Sequence, residues 1–248
     1  MPVSDNFKSI FPLEWEIDFT QCASNGKLKY TDMSHLLQLT ASAHSDSAGM
    51  SFAEMGQNNQ SWVLSRMHIE VDEMPKWGDK VTVTTWIEYL DNGRSIRDFE
   101  MHLGDKKLLG ASSLWAVLDT QLRRGAKELL INSDFVTRYP EKKPTVKDNY
   151  RINYANETEL VEERTVRLSD LDIVKHVNNV KYVEWCLDVF DIDIIFKEQI
   201  KSISANYLRE LSLGDTVSIK KRQDGNVVLF TVEKNTKVCF CMEIELKA

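Results

Sequence analysis

The sequence predicts an α+β protein made of two tandem copies of one unit, a long helix followed by antiparallel strands. Three observations carry that prediction. Apolar residues recur at helical spacing in two separated stretches, and each stretch is followed by segments of strict two-residue alternation. A turn motif also repeats: Met74-Pro75-Lys76-Trp77-Gly78-Asp79-Lys80-Val81 resembles Glu210-Leu211-Ser212-Leu213-Gly214-Asp215-Thr216-Val217, at an offset of 214 − 78 = 136.

The first helix is expected over residues 31–48. Leu36, Leu37, Leu39, Ala43 and Ala48 supply its apolar positions, Thr31 or Asp32 can cap it, and Gly49 stops it. Strands follow, in which Val81, Val83, Thr85 and Ile87 alternate with Thr82, Thr84 and Trp86, and Phe99, Met101 and Leu103 alternate with Asp98, Glu100 and His102. Asp91-Asn92-Gly93 has the composition of a hairpin turn. Residues 131–157, with Pro140, Pro144 and the run Glu141-Lys142-Lys143, lack a sustained period and are expected to be a linker between domains at 1–130 and 158–248. The second helix is expected over 178–190, with Asn178 and Asn179 as caps whose side-chain oxygens take orphan amide hydrogens. In the last strands Val238, Phe240, Met242, Ile244 and Leu246 alternate with Cys239, Cys241, Glu243 and Glu245, after a turn at Gln223-Asp224-Gly225-Asn226. Half-buried sheets of this kind must each cover one face with a helix.

Composition narrows the function classes. Of 248 residues, 42% are hydrophobic and 28% charged, the balance of an ordinary globular protein, and the net charge of 31 − 38 = −7 argues against a nucleic-acid footprint. No apolar run approaches the ~20 residues of a membrane helix. The first residues lack a basic stretch followed by an apolar core, so a cytoplasmic location is expected. Four cysteines make no disulfide framework. Cys239 and Cys241 lie ~6.8 Å apart along one strand face and are read as reduced thiols. No zinc-ligand spacing, phosphate loop, HExxH or G-x-S-x-G is present, so neither metal nor cofactor is expected.

The most unusual segment runs from Asp170 to Tyr182. It sets carboxylates, His176 and two amides directly before an apolar helix, where free backbone amides and the helix dipole favour developing negative charge. Read alone, Asp172 and Asn178 are caps and His176 a surface side chain. The pattern D-x-D-x-x-x-H-V-N-N-x-x-Y-x-x-W, however, resembles the signature of acyl-acyl carrier protein thioesterases, the fatty-acyl chain-terminating enzymes of plant plastids and bacteria. The first half is similar too, through Trp62-Val63-Leu64-Ser65-Arg66-Met67-His68-Ile69-Glu70-Val71, Pro75-Lys76-Trp77-Gly78-Asp79, Arg97-Asp98-Phe99 and Trp115.

That resemblance implies a double hotdog, two repeats each with an antiparallel sheet wrapped round a central helix, the carboxy-terminal repeat holding the chemistry and the amino-terminal one shaping the acyl pocket. It places the catalytic acid on Asp172, the histidine on His176 and the second acid on Glu210. Where plant members carry Asn and Cys, this chain has Val174 and Leu211. Thioester hydrolysis needs a base, an oxyanion donor set and an apolar slot. Asp172 or Glu210 can supply the first, and the backbone amides of 177–179 with Asn178 and Asn179 the second. The slot is expected against the first helix at Leu36, Leu37 and Leu39. Direct attack by activated water ranks above an acyl-enzyme on Asp172. The implied partner is an acyl carrier protein bearing a phosphopantetheine-linked acyl chain, met by one of the basic stretches Arg123-Arg124, Lys142-Lys143 or Lys220-Lys221-Arg222. Acyl-CoA hydrolysis, a non-catalytic acyl-thioester-binding role and a homodimeric state stay open.

Overall fold

The structure is a computed structural model and describes residues 3–154 and 158–247. In chain order the elements are β1 (Ile10–Glu16), α1 (Tyr30–Ser47), α2 (Phe52–Gln57), β2 (Gln60–Val71), β3 (Lys80–Asp91), β4 (Arg94–Leu103), β5 (Lys106–Asp119), β6 (Arg124–Gly125), β7 (Glu159–Thr165), α3 (Asn179–Asp188), α4 (Ile192–Phe196), β8 (Ile200–Tyr207), β9 (Thr216–Asp224), β10 (Val227–Lys234) and β11 (Lys237–Leu246). They form two units. The first is the chain up to Ser65 together with Asp72–Asp148, and the second is Arg66–Val71 with the chain from Asn149 onward.

In the first unit β1, β3, β4 and β5 pair antiparallel in that order. α1 lies against this sheet through the stripe Tyr30, Met33, Leu37, Thr40, Ala41 and His44, spaced three and four apart as a core-facing helix requires. Trp15 Nε1 donates to Thr40 Oγ1 at 3.0 Å, tying β1 to the helix. Neither Thr31 nor Asp32 caps α1. Its N-cap is Lys29, which makes no side-chain capping bond, because the chain enters the helix already pinned by Leu28 N–H to Pro75 O (2.8 Å) and Lys29 N–H to Gln21 O (2.9 Å). Asp32 instead sits in the first turn, where its charge suits the helix dipole. Between β3 and β4, Asn92 and Gly93 have φ of 47° and 76°, the paired left-handed residues of a tight hairpin.

In the second unit the last residues of β2 pair with β8, and the order continues β11, β10, β9, β7, antiparallel throughout. α3 packs on β11 through Val180, Tyr182, Val183, Trp185 and Cys186. It stops at Asp188 rather than at Phe190, since Asp191 starts α4 as a new cap, its Oδ1 accepting from Asp193 N–H at 2.8 Å. All four cysteines are free, and Cys186, Cys239 and Cys241 are buried.

The expected linker does not hang free. Residues 139–148 cover the outer face of the first sheet: Trp86 Nε1 donates to Lys142 O (3.1 Å), the Lys142 ammonium sits 4.2 Å over the Trp86 ring, and Lys107 Nζ donates to Pro144 O (2.5 Å). Trp86, placed by its alternation among exposed residues, is consequently fully buried. Gly110 lets the cover approach, for a Cβ there would lie 2.0 Å from Pro144 O. In the second unit Asn206 receives Ile152 N–H on Oδ1 (2.9 Å) and donates Nδ2 to Tyr150 O (3.0 Å), so Ile152 covers Leu229 and Cys241. The boundary therefore falls at 148/149 and not at a separate segment of 131–157, whose residues 155–157 lie outside the described residues. Extended covering segments carry no period, which is why they look like a linker.

Candidate functional site

The site is a seven-residue hairpin loop in front of α3. Asp172 N–H donates to His176 O (2.8 Å), Lys175 N–H to Asp172 O (3.1 Å), and Leu171 bridges Val177. Lys175 closes the turn at φ 66°, an uncommon conformation for a residue with a Cβ. The Asp172 side chain holds the loop from inside, its Oδ1 accepting Val174 N–H (2.9 Å) and His176 N–H (3.1 Å). Two further bonds dock the loop: Val177 N–H to Leu211 O (2.9 Å) and the bridge between His176 and Ser212. That docking sets Glu210 beside the histidine, with His176 Nε2 to Glu210 Oε2 at 3.5 Å. His176 is partly covered, and the Glu210 side chain is 40% exposed.

Asp172, His176 and Glu210 thus meet at one place. Beneath them lies a fourth group that the sequence reading left without a role. Tyr182, one turn into α3, is buried and points its hydroxyl at Arg209 O (3.5 Å). Burial pushes its phenol well above the ordinary tyrosine range, and Cys239, Glu210 and Asp172 push the same way. One phenol therefore feels both acids. Its ring packs on Trp185, Phe240 and Tyr207, a rigid aromatic floor.

Most of the expected oxyanion donors are already engaged. The Val177 and Asn178 amides are spent on Leu211 O and Asp170 O (2.9 Å), and the Asn178 Oδ1 caps α3 by accepting from Val180 N–H (2.9 Å). What remains is the Asn179 amide, which as the first helical residue has no intrahelical acceptor. Leu211 is fully buried, whereas Val174 is 44% exposed on the loop's rim.

The first unit contains a cavity of about 270 Å³. Neither Leu36, Leu37 nor Leu39 lines it: the first two are buried in the core and Leu39 is 51% exposed. α1 faces it instead with Gln38, Ala41, Ser42 and Ser45, the stripe next round the helix, opposite Trp62, Trp115 and Arg97. His44 and Arg97, both buried, form its polar wall. Arg97 Nη1 donates to His44 Nδ1 (2.8 Å), and the His44 ring is stacked between Phe7 and Phe11 at 5.4 and 5.3 Å. Burial, with Arg97 adding, pushes the His44 pKa down to about 3, so the ring is neutral and its Nδ1 an acceptor. Of the basic stretches, Lys142, Lys143, Lys220 and Arg222 stand in ion pairs with Glu100, Glu88, Glu233 and Asp224. Among the described residues no group of acidic, His or Cys side chains could hold a metal ion.

Residues 8–139 match the family model for the acyl-ACP thioesterase N-terminal domain, and residues 153–246 that for its C-terminal domain. The chain is 34% identical over 199 residues to a palmitoyl-acyl carrier protein thioesterase of Arabidopsis thaliana, covering 73% of this chain and 47% of that one. It is 31% identical over 195 residues to a dodecanoyl-[acyl-carrier-protein] hydrolase of Cinnamomum camphora, covering 73% and 50%. The chain spans about half the length of the curated relatives it matches. An acyl-ACP thioesterase structure from Bacteroides thetaiotaomicron superposes with a TM-score of 0.88 at 28% identity, covering 96% of this chain and 98% of that one. The 12:0-ACP thioesterase of Umbellularia californica shares the fold, with a TM-score of 0.80 at 23% identity, 97% of this chain and 98% of that one. The chain belongs to the acyl-ACP thioesterase family, and its two units are the two hotdog repeats of that fold.

Proposed function

We propose that this member of the acyl-ACP thioesterase family hydrolyses the thioester of fatty acyl-acyl carrier protein, releasing free fatty acid and ending chain elongation. The observation that carries the reading is the His176–Glu210 contact at 3.5 Å beside the loop-bound Asp172 carboxylate, in front of a helix amino-terminus. Glu210 with His176 is the water-activating pair. Water held between them loses its proton as it attacks the thioester carbon, and His176 passes a proton to the sulfur as the C–S bond breaks. A thiol leaves readily as thiolate, so strong acid assistance is unnecessary. Asp172 positions: one of its oxygens already accepts two amide hydrogens, which makes it a poor nucleophile and supports attack by water over an acyl-enzyme. The Asn179 amide, aided by the α3 dipole, is the oxyanion donor.

The partner proposed is an acyl carrier protein with a phosphopantetheine-linked chain, met in the cytoplasm. Among the described residues no helix is long and apolar enough to cross a membrane. The test is release of fatty acid by the purified protein from one acyl chain presented on carrier protein and on CoA. Faster release from carrier protein supports the proposal, and equal or faster release from CoA makes the chain an acyl-CoA thioesterase. Tight binding without release makes it a binding module.

A further inference from the structure

Tyr182 reaches the backbone on both sides of Glu210. Its hydroxyl lies 3.5 Å from Arg209 O, and the Leu211 N–H is directed at the same oxygen. These two groups belong to the two peptide bonds that flank Glu210. Burial above all keeps the phenol protonated, so its hydrogen is available to the carbonyl while its oxygen faces the amide. The ring is held in place by Trp185, Phe240 and Tyr207, with centroids at 5.4, 5.2 and 6.1 Å. The first repeat shows the same frame without this arrangement. Leu28 N–H reaches Pro75 O (2.8 Å) as Val177 N–H reaches Leu211 O (2.9 Å), which sets Pro75 at the place of Leu211 and Met74 at that of Glu210. Five residues on from Leu28 is Met33, and five on from Val177 is Tyr182. Met33 is fully buried and has no hydroxyl, and Pro75 has no N–H. The frame therefore forms without either group. Hydroxyl and amide occur together in the repeat whose intervening residue is an acid.

We propose that Tyr182 is a positioning residue for thioester hydrolysis, its hydroxyl holding the two peptide groups that flank Glu210 so that the Glu210 carboxylate stays against His176. The inference rests on the hydrolysis proposed above and adds a residue that keeps its geometry. Tyr182 acts only through Glu210. The His176–Glu210 contact is 3.5 Å and the Glu210 side chain is 40% exposed, so a small backbone shift at Glu210 is enough to part the pair. A plainer role for Tyr182 is that of a core aromatic whose hydroxyl meets a polar neighbour. Packing the floor requires a ring and no hydroxyl, and that role predicts an effect on stability without a loss of turnover tied to Glu210.

The experiment is a double-mutant cycle of Tyr182→Phe and Glu210→Gln, read as kcat and KM on one acyl-carrier substrate well below the melting temperature, with hydrogen exchange of the Leu211 amide followed by NMR. On its own Tyr182→Phe should lower kcat by roughly 10- to 100-fold, the scale of a ~1 Å misplacement, and leave KM within about twofold. In the Glu210→Gln background it should change kcat by less than about twofold, since no base is left to hold. The Leu211 amide should be protected in the unaltered protein and exchange at least ~10-fold faster in Tyr182→Phe. Wild-type kcat in a folded Tyr182→Phe overturns the proposal, and so does an equal fold loss in both backgrounds, the signature of packing alone. An unprotected Leu211 amide in the unaltered protein overturns it too, whether or not the variant folds. Should the unaltered protein cleave no thioester at all, the hydrolase reading fails by itself. The hold on Glu210 is then judged by the Leu211 amide, whose exchange must still quicken in Tyr182→Phe.

Discussion

The loop before α1 and the loop before α3 have the same backbone and opposite contents. Cys22 bridges Leu28 as Leu171 bridges Val177; Ala23 N–H donates to Lys27 O at 2.8 Å as Asp172 N–H does to His176 O; Leu28 N–H reaches Pro75 O as Val177 N–H reaches Leu211 O. The Gly-Asp turns match as well, with Gly78 and Gly214 at φ 81° and 82° and Asp79 and Asp215 each accepting the amide three residues earlier. On this frame Asp172, His176 and Glu210 occupy the places of Ala23, Lys27 and Met74. The proposed catalytic group is therefore three side chains on a scaffold the protein builds twice, and the other copy spends one of the same positions on structure, Lys27 Nζ donating to Met74 O (2.9 Å). The first repeat keeps the cavity, and the second keeps the acids.

The comparison breaks most visibly if the acids are dispensable. Glu210→Gln should lower kcat by ~10² to 10⁴ with unchanged melting behaviour, and His176→Ala should fall in that range if it carries protons; Asp172→Asn, whose amide oxygen can still accept the Val174 and His176 amides, should cost less. A purified Glu210→Gln enzyme working at the wild-type rate would sink the assignment of chemistry to this site.

Next in size is a structural effect confined to the first repeat. Gly110→Ala drives a methyl into Pro144 O and should cost ~1–3 kcal/mol, a fall in Tm of roughly 2–12 °C. An unchanged Tm would mean that residues 139–148 are not packed there.

The two buried environments also differ in their response to acid. His44 has a native pKa of about 3 against an unfolded value of ~6.5, so the unfolded chain binds a proton that the native state refuses. Its contribution is complete above pH ~6.5 and lost as the pH falls, at up to ~1.4 kcal/mol per unit. Asp98, raised to about 7 by burial, acts with the opposite sign in an overlapping window, so the measurable quantity is a difference. Stability of the wild type minus that of His44→Gln should fall as pH drops below 6.5, and a flat difference would contradict a buried neutral His44.

The smallest effects lie on the rim of the second loop. Lys175 stands where the first repeat has Gly26, at φ 66° against 75°, and Lys175→Gly should be neutral or stabilising by less than ~1 kcal/mol by thermal melt. Val174→Asn should be tolerated and at most mildly activating in a turnover assay, since Val174 is half exposed and contributes only its amide to the loop.

Much of this was legible because it is local. Alternation fixed the strands, Asn92-Gly93 the hairpin, and the Gly-Asp echo the duplication, all through short-range backbone rules. The trio at 172, 176 and 210 was proposed from the family resemblance rather than from the residues alone, and the structure sets His176 against Glu210. The Arg97 and His44 wall was not, because periodicity assigns cations to solvent and says nothing of a cavity whose sides come from residues as far apart as Phe7, Trp62 and Val136. That the Val177 and Asn178 amides are engaged could not be read either, because it depends on Leu211 O and Asp170 O, acceptors outside the helix.

The cover formed by residues 139–148 has a practical corollary for anyone dividing this chain. A fragment ended at residue 130, where the alternation stops, would strip Trp86 of its roof and take the Lys142 and Lys143 ammoniums away from Glu100 and Glu88, leaving a large indole and carboxylates bare on one sheet face. One ended at Asp148 would carry its own roof.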